Sequence, residues 1–376
     1  MASSPILSSY RRGTVGLVAL LGAGLSLLIW RFAIRHDAER VHVGFLSRAQ
    51  IQAAVANQRL RAYREMVHSL RDSFLGQNVV TRTEFSSVAQ SLLARHAGVQ
   101  ALQWVRIVTH AERLQLEAQA TSETNRPFVV RRRREADTTL HPAAPDSEYL
   151  VITYVEPVAG NETVLGYDVS TAPTAALLAA ARADREFKVS YAFQLIQAPS
   201  SHAQPGIVFV LPFWRHDVPG GPVEGFVQGV FHVQTMLAQS HQLSANEALD
   251  TYYFDIDAAT GQKTLLYANL GGTEPLSDPG TQLELPPLDD PADFHATIAI
   301  GGRQWLMVIR QNAAWSQRNL SYQPGVILGA GLIITALLAL FINSLLQRTA
   351  RIEEEVRERT RQLRESESRL QDIVDH

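Results

Sequence analysis

Hydrophobic positions concentrate in two long uncharged runs near the ends of the chain, and a charged segment separates them. The first run, Gly13 to Trp30, has 18 residues without a charge, and the second, Asn319 to Gln347, has 29. As α-helices they extend about 27 and about 44 Å against a hydrocarbon core of about 30 Å, so each can span a bilayer. We therefore predict transmembrane helices at 13–34 and 322–346, preceded by a cytoplasmic N-terminus at 1–12.

The first run has a second interpretation, a cleavable signal peptide, because Arg11 and Arg12 precede it. The run ends in Trp30-Arg31-Phe32, an interfacial anchor and not a cleavage site, which favours an uncleaved span. Charge bias across this span is nearly neutral, but long inserts translocate largely regardless of charge. We expect a multi-pass protein of the cell inner membrane, with the segment between its two spans on the periplasmic, extracytoplasmic side.

Between the spans the hydrophobic pattern changes from a helix period to a strand period. Apolar residues recur every three to four positions without a proline from 35 to 76, which predicts a stalk helix. Beyond Gly98 the period falls to two or to short apolar runs. This succession predicts an antiparallel sheet with helices on one face at 77–245 and a smaller unit at 246–318. The fold class is therefore α+β.

The segment 348–376 changes abruptly to a charged helical pattern. Apolar residues repeat every seven positions at Val356, Leu363 and Leu370, which is typical of the seam of a parallel coiled coil. The alternative is a solvated single helix held by i,i+4 charge pairs. Attachment to a membrane span favours the dimeric form. We expect a cytoplasmic coiled-coil linker that is truncated before a PAS or output domain.

Composition excludes several classes of protein. The net charge of −3 gives no reason to expect a nucleic-acid partner. Zero cysteines exclude disulfides, thiol catalysis and Cys-ligated zinc. The HExxH, GxSxG, Walker A and GxGxxG motifs are absent from the sequence, so we predict no catalytic residue, no metal ligand and no cofactor. An anchored hydrolase stays open as an alternative, but the spacing shows neither a nucleophile nor a base.

Several short motifs follow one another in a fixed order between the spans. They are Trp104-Val-Arg-Ile-Val-Thr-His-Ala-Glu112-Arg113, Tyr154-Val-Glu156-Pro157, Leu165-Gly166-Tyr167-Asp168-Val169, Tyr191-Ala-Phe193-Gln-Leu195, Gly206-Ile-Val-Phe-Val-Leu211-Pro212-Phe213-Trp214 and Gly225-Phe-Val-Gln-Gly229. In this order they resemble the CHASE domain, the extracytoplasmic sensor of plant cytokinin receptors and of many bacterial sensor kinases and cyclases. The resemblance covers Phe45 to Gln239.

The resemblance implies a long stalk helix followed by two PAS-like subdomains, with a small ligand held in the membrane-distal one. Asp168 matches the carboxylate that binds the purine of an adenine-type cytokinin in some family members. The alternative for Asp168 is to accept backbone N–H groups near the start of the next helix. Alternating residues on the following strands provide the other candidate ligand contacts, and core packing is their alternative fate. These residues are Val189, Tyr191, Phe193, Phe209 and Leu211.

The resemblance also indicates a membrane receptor that works as a homodimer through its stalk, its second span and its coiled coil. Ligand binding would be transmitted to a cytoplasmic sensor histidine kinase in the full-length protein, since the chain itself shows no catalytic domain. A diguanylate cyclase or phosphodiesterase is the alternative output. A different class is a scaffold that senses a protein or membrane stress without a small ligand. A cavity of several hundred Å³ into which Asp168 points would favour the small molecule, and a solid core would favour the scaffold.

Overall fold

The computed structural model of the chain describes residues 5–77, 79–133, 139–196, 205–214, 221–241, 249–271, 287–288 and 290–374. It divides into two units. One consists of residues 1–44 and 317–376, and the other of residues 45–316.

Seven α-helices occur in the described residues. They are α1 (Pro5–Asp72), α2 (Arg82–Leu93), α3 (His110–Thr124), α4 (Ala175–Asp184), α5 (Val233–His241), α6 (Ala313–Asn319) and α7 (Gln323–Val374). Both α2 and α3 begin at capping boxes. The Thr81 side chain accepts from Glu84 N while the Glu84 carboxylate accepts from Thr81 N, and Thr109 and Glu112 repeat the arrangement. Each box satisfies amide groups that the first helical turn leaves without partners.

The strands form two antiparallel sheets and one short ribbon. They are β1 (Val99–Thr109), β2 (Arg131–Arg133), β3 (Leu140–Pro142), β4 (Glu148–Glu156), β5 (Lys188–Val189), β6 (Phe193–Gln194), β7 (Pro205–Phe213), β8 (Gly225–His232), β9 (Leu249–Ile256), β10 (Lys263–Asn269), β11 (Phe294–Ile300) and β12 (Arg303–Gln311). The first sheet has the order β4-β1-β8-β7-β5 with β6 also on β7, the second has β10-β9-β12-β11, and β2 pairs with β3. The predicted α+β class is confirmed.

One face of the six-stranded sheet carries large aromatic side chains. Trp104 of β1 lies with its ring centroid 5.5 Å from Phe74 and 4.8 Å from Phe213. Phe231 of β8 lies 5.0 Å from Tyr63, which belongs to α1. Offset and edge-on ring contacts of this kind add to the gain from burying their area. This aromatic face packs against α1, the loop that follows it, and α2.

The opposite face carries smaller side chains and is also covered. Ala101, Val105, Val208 and Val230 form one buried cluster with residues of α4, among them Leu178. Helices therefore cover both faces of the sheet, where the sequence predicted one. The two faces differ mainly in the size of their side chains, and the face with smaller residues also carries the buried amides of Gln103 and Gln228.

The two sheets meet at the tip of the β11–β12 hairpin. The Val189 amide of β5 donates to the Gly301 carbonyl at 2.9 Å. Gly301 has φ +51°, and a Cβ there would stand 2.5 Å from Val189 Cγ2 and 2.7 Å from the Val189 amide nitrogen. Only glycine combines this backbone conformation with so close an approach.

The unit of residues 1–44 and 317–376 contains the two apolar helical segments. Gly13–Asp72 and Gln323–Arg364 are long and apolar enough to cross a membrane. They pack through small residues: Gly331 lies against Ser26, where a Cβ would stand 2.6 Å from the Ser26 hydroxyl, and Gly22 lies against Thr335. Close approach through small residues is typical of membrane helix pairs. Large apolar side chains such as Leu20, Ile333 and Leu340 are exposed, as lipid contact requires.

Candidate functional site

A cleft lies in the six-stranded sheet unit, on the small-residue face. Its internal cavity measures about 50 Å³, and the cleft with its open mouth encloses about 460 Å³. The apolar lining includes Ile152, Val164, Val169, Phe193, Val208 and Val230. The polar lining consists of Gln103, Gln228, Tyr167, Thr174, Gln194 and Arg133. A concave, mostly apolar cleft with a few polar groups is the usual form of a small-molecule site.

Two glutamines place amides among the apolar side chains of the cleft. Gln103 of β1 and Gln228 of β8 are opposite each other in the register of the paired strands, and both are buried. The Gln228 Nε2 atom is buried without a hydrogen-bond partner. An unpartnered buried donor lowers the stability of the fold by about 1–3 kcal/mol. This amide group therefore either destabilises the protein permanently or forms its hydrogen bond to a ligand.

Tyr167 contributes a second unpartnered polar atom to the cleft. Its hydroxyl is buried and has no hydrogen-bond partner. Burial raises the pKa of Tyr167 to about 12, because the phenolate would lose its hydration. The hydroxyl therefore stays protonated at neutral pH and can donate a hydrogen bond.

Asp168 follows Tyr167 in the chain, but its side chain is occupied by protein partners. It is fully buried, and its Oδ1 atom accepts from the Leu150 amide at 2.9 Å and from the Ser170 amide at 3.0 Å. Its Oδ2 atom accepts from Arg132 Nε at 2.6 Å. Asp168 caps the short 3-10 turn Val169–Thr171 and is absent from the residues that line the cleft. This arrangement corresponds to the backbone-capping alternative for Asp168, with a salt bridge added.

The other five predicted contact residues take four different positions. Phe193 lines the cleft. Phe209 packs against the rings of Phe187 and Phe231 on the aromatic face, and Leu211, two residues further along β7, is buried on that same face. Val189 is buried beside Gly301, outside the cleft lining. Tyr191 is 49% exposed, and its hydroxyl donates to the Pro173 carbonyl.

The structure therefore brings Phe193 to the cleft and leaves the other five candidates outside its lining. Successive side chains of a strand point to opposite faces, so Val208 faces the cleft where Phe209 cannot. Gln103, Gln228 and Tyr167 were not among the predicted residues. The sequence carries a trace of Gln228, which interrupts the apolar run of Gly225 to Phe231, but not of Gln103, whose strand also contains Gln100 and Arg106.

No group of three or more His, Asp or Glu side chains able to hold a metal ion occurs within the described part of the chain.

Comparison with known proteins gives the family. The model of the CHASE domain family matches residues 78–267, just over half of the chain. The chain belongs to the CHASE domain family, which confirms the resemblance seen in the motifs. A curated relative is hybrid signal transduction histidine kinase A of Dictyostelium discoideum, 23% identical over 263 residues. The match covers 64% of this chain and 12% of that protein, so the chain spans about an eighth of its length.

Solved structures that resemble the chain are distant in sequence. An extracellular ligand-binding receptor from Desulfohalobium retbaense matches at 12% identity and TM-score 0.42, covering 70% of this chain and 39% of its own. The periplasmic sensory domain of the Campylobacter jejuni chemoreceptor Tlp1 matches at 6% identity and TM-score 0.41, covering 77% and 99%. The ligand-binding domain of the amino-acid chemoreceptor PctC of Pseudomonas aeruginosa, in complex with GABA, matches at 13% and 0.38, covering 71% and 98%.

Replacing Asp168 by asparagine tests its salt bridge with Arg132. We expect Asp168→Asn to lower the free energy of unfolding by about 3 kcal/mol, because Arg132 is mostly buried and loses a charged partner. Asp146→Asn is the matched control, since Asp146 binds the same guanidinium at its exposed end, where solvent screens the pair and its loss should cost much less. Urea denaturation of the purified chain in detergent measures both. Equal losses for the two variants would contradict this account.

Removing a hydroxyl group distinguishes the unpartnered Tyr167 from a tyrosine that is hydrogen-bonded. Tyr63 donates to the Ala97 carbonyl at 2.8 Å, so Tyr63→Phe should destabilise the chain by about 1 kcal/mol. Tyr167→Phe should leave the stability unchanged or raise it, because it removes a buried polar atom that bonds to nothing. Thermal unfolding of both variants without ligand provides the comparison. A Tyr167→Phe variant as unstable as Tyr63→Phe would show that the hydroxyl has a protein partner.

Proposed function

We propose that this chain is the sensing and transmitting part of a membrane receptor, and that its CHASE domain binds a small molecule in the cleft of the six-stranded sheet. The observation that carries the proposal is the cleft, whose buried donors at Gln228 and Tyr167 have no protein partner. Two helices able to cross a membrane lie on either side of this domain in the sequence. The cleft supports a small molecule over the scaffold alternative, but the Asp168 carboxylate does not point into it as the sequence-based test required.

The location and the ligand in this proposal are supported by one observation, and the output is supported by another. The expected inner-membrane location, the PAS-like character of the two sheet units and an adenine-type ligand come from the family resemblance. The output of a histidine kinase is supported by the Dictyostelium relative, which carries that name. The Asp168 carboxylate that would receive purine N–H groups is engaged by Arg132, Leu150 and Ser170, which weakens the support for adenine.

Hydrogen-bonded elements of the sensor unit provide a path along which ligand binding in the cleft can affect the rest of the chain. Residues Phe193 to Ile196 form part of the cleft wall. They follow β5 in the chain, and the Val189 amide of β5 donates a hydrogen bond to the Gly301 carbonyl. Gly301 belongs to the hairpin of β12, which continues along the chain through α6 into α7. Ligand binding acts on the output only if it favours one arrangement of this path over another.

The absence of native cysteine makes the membrane arrangement directly testable. Ala258→Cys places a thiol on an exposed turn of the sensor unit, and Ser366→Cys places one on the exposed surface of α7 beyond the apolar segment. In intact cells we expect a membrane-impermeant maleimide to label Ala258→Cys, and to label Ser366→Cys only after permeabilisation. The unsubstituted chain is the control for background. Labelling of both variants, or of Ser366→Cys alone, in intact cells would refute the extracytoplasmic sensor.

The homodimer is tested at the proposed coiled-coil seam. Val356 and Leu363 are 56% and 66% exposed in the single chain, so an apolar stripe of α7 is open to a partner helix. We expect Leu363→Cys to form an intermolecular disulfide on mild oxidation in membranes, since seam residues of a parallel pair face each other. Gln362→Cys, one position off the seam, is the matched control and should stay monomeric. Equal cross-linking of the two variants, or none from Leu363→Cys, would argue against this dimer.

A further inference from the structure

We propose that the ligand of the cleft is a small organic carboxylate whose oxygens accept hydrogen bonds from Gln228 Nε2 and the Tyr167 hydroxyl. This inference rests on the proposed function and names the ligand class of the same site. Three properties of the cleft lead to it: the hydrogen-bonding type of the unpartnered atoms, the charge of the lining and the size of the cavity.

Both unpartnered atoms can donate a hydrogen bond, and Gln228 Nε2 can do nothing else. A side-chain amide nitrogen donates and never accepts, so Gln228 Nε2 can be satisfied only by an acceptor. The Tyr167 hydroxyl keeps its proton at neutral pH because burial holds its pKa high. A carboxylate offers two oxygens with about four lone-pair sites, enough for both donors. A hydrogen bond to a charged acceptor is also stronger than a neutral one, at about twice its energy.

The charged side chain in the described part of the cleft lining is basic. Arg133 is the charged side chain of the cleft lining, and its charge acts on the hydroxyl of Tyr167. Among the described residues that line the cleft there is neither aspartate nor glutamate. Asp168 lies nearby in the chain, but its charge is paired with Arg132. An ammonium group or a purine N–H edge would therefore find no carboxylate in this described lining.

The cavity is small and its walls are aliphatic. About 50 Å³ of internal volume is enclosed mainly by side chains such as Ile152, Val208 and Val230. A short alkyl chain fills such a space and displaces water from apolar walls. An apolar cavity that holds benzene measures about 150 Å³, so a planar bicyclic base would require this space to expand first. The combination favours a short aliphatic carboxylate.

The test uses the full chain in phosphatidylcholine nanodiscs and three probes: butyrate, butylamine and adenine. Butyrate and butylamine share their alkyl chain and differ in charge and hydrogen-bonding type. We expect butyrate to raise the unfolding temperature in a saturable way, since a ligand that binds the folded state stabilises it. Sodium chloride at matched concentration controls for ionic strength. Butylamine and adenine should produce no shift.

Substitutions then assign the two donors. Gln228→Leu and Tyr167→Phe should each weaken butyrate binding by about tenfold or more, measured by calorimetry, because each removes a hydrogen bond to a charged acceptor. Tyr63→Phe, which removes a hydroxyl on the aromatic face, should keep the affinity of the unsubstituted chain. The stability of each variant without ligand separates a loss of binding from a loss of folding.

The outcomes decide between the carboxylate and the wider receptor proposal. The carboxylate assignment is wrong if butyrate and its homologues from propionate to hexanoate give no stabilisation, or if binding survives in both Gln228→Leu and Tyr167→Phe. If butylamine or adenine stabilises the chain instead, and Phe193→Ala abolishes that effect, the cleft is a small-molecule site and only the carboxylate assignment fails. Cysteine labelling tests the membrane arrangement independently of any ligand.

Discussion

Burial of both faces of the six-stranded sheet is the constraint on which the rest of the sensor unit depends. Residues that alternate along each strand must fill two different spaces. Large rings such as Trp104 and Phe209 fill the space towards α1 and α2. Smaller residues such as Val208 and Val230 face α4 and do not fill that side completely. The cleft exists because close packing is achieved on one face of the sheet and left incomplete on the other.

The wall of the cleft is held in place by the residue next to Tyr167. The Asp168 amide donates to the Arg131 carbonyl of β2 at 2.8 Å, and the Tyr167 carbonyl accepts from the Ile152 amide of β4 at 3.0 Å, so this segment lies between β2 and β4. Neighbouring side chains in an extended segment point in opposite directions. The Asp168 carboxylate binds Arg132, and the Tyr167 ring is directed into the cleft. The salt bridge thereby orients Tyr167, the residue that we propose binds the ligand, through its neighbour in the chain.

The sequence supported the helices, the class of the fold and the family, but not the orientation of the strands. Thr81 and Thr109 are followed three residues later by glutamate, and this local spacing is enough to start α2 and α3. A strand that is exposed on one side reveals its buried face through alternating polarity, whereas β7 is apolar on both sides. Nothing in its residue pattern therefore separates Val208, which lines the cleft, from Phe209, which does not. Asp168 was placed by a motif, and its partner Arg132 lies too far along the chain to be inferred from local spacing.

Hydrogen bonds between the two sheets limit how far a ligand can move the strands of the cleft independently. Ser190 donates its amide to the Val208 carbonyl at 3.0 Å and accepts from the Val208 amide at 2.9 Å through its hydroxyl. The residue before it, Val189, is bonded to Gly301. Ser190 is thus hydrogen-bonded to Val208 of the cleft, and its neighbour Val189 is hydrogen-bonded to the hairpin of the second sheet. A ligand that moves the strand bearing Val208 must carry the Gly301 hairpin with it or break a buried hydrogen bond at a cost of about 1–3 kcal/mol. A ligand shifts a two-state equilibrium only by the difference in its affinity for the two states. Coupling energies in allosteric proteins are typically about 1–3 kcal/mol, so the cost of breaking this hydrogen bond is large enough to couple the cleft to the second sheet.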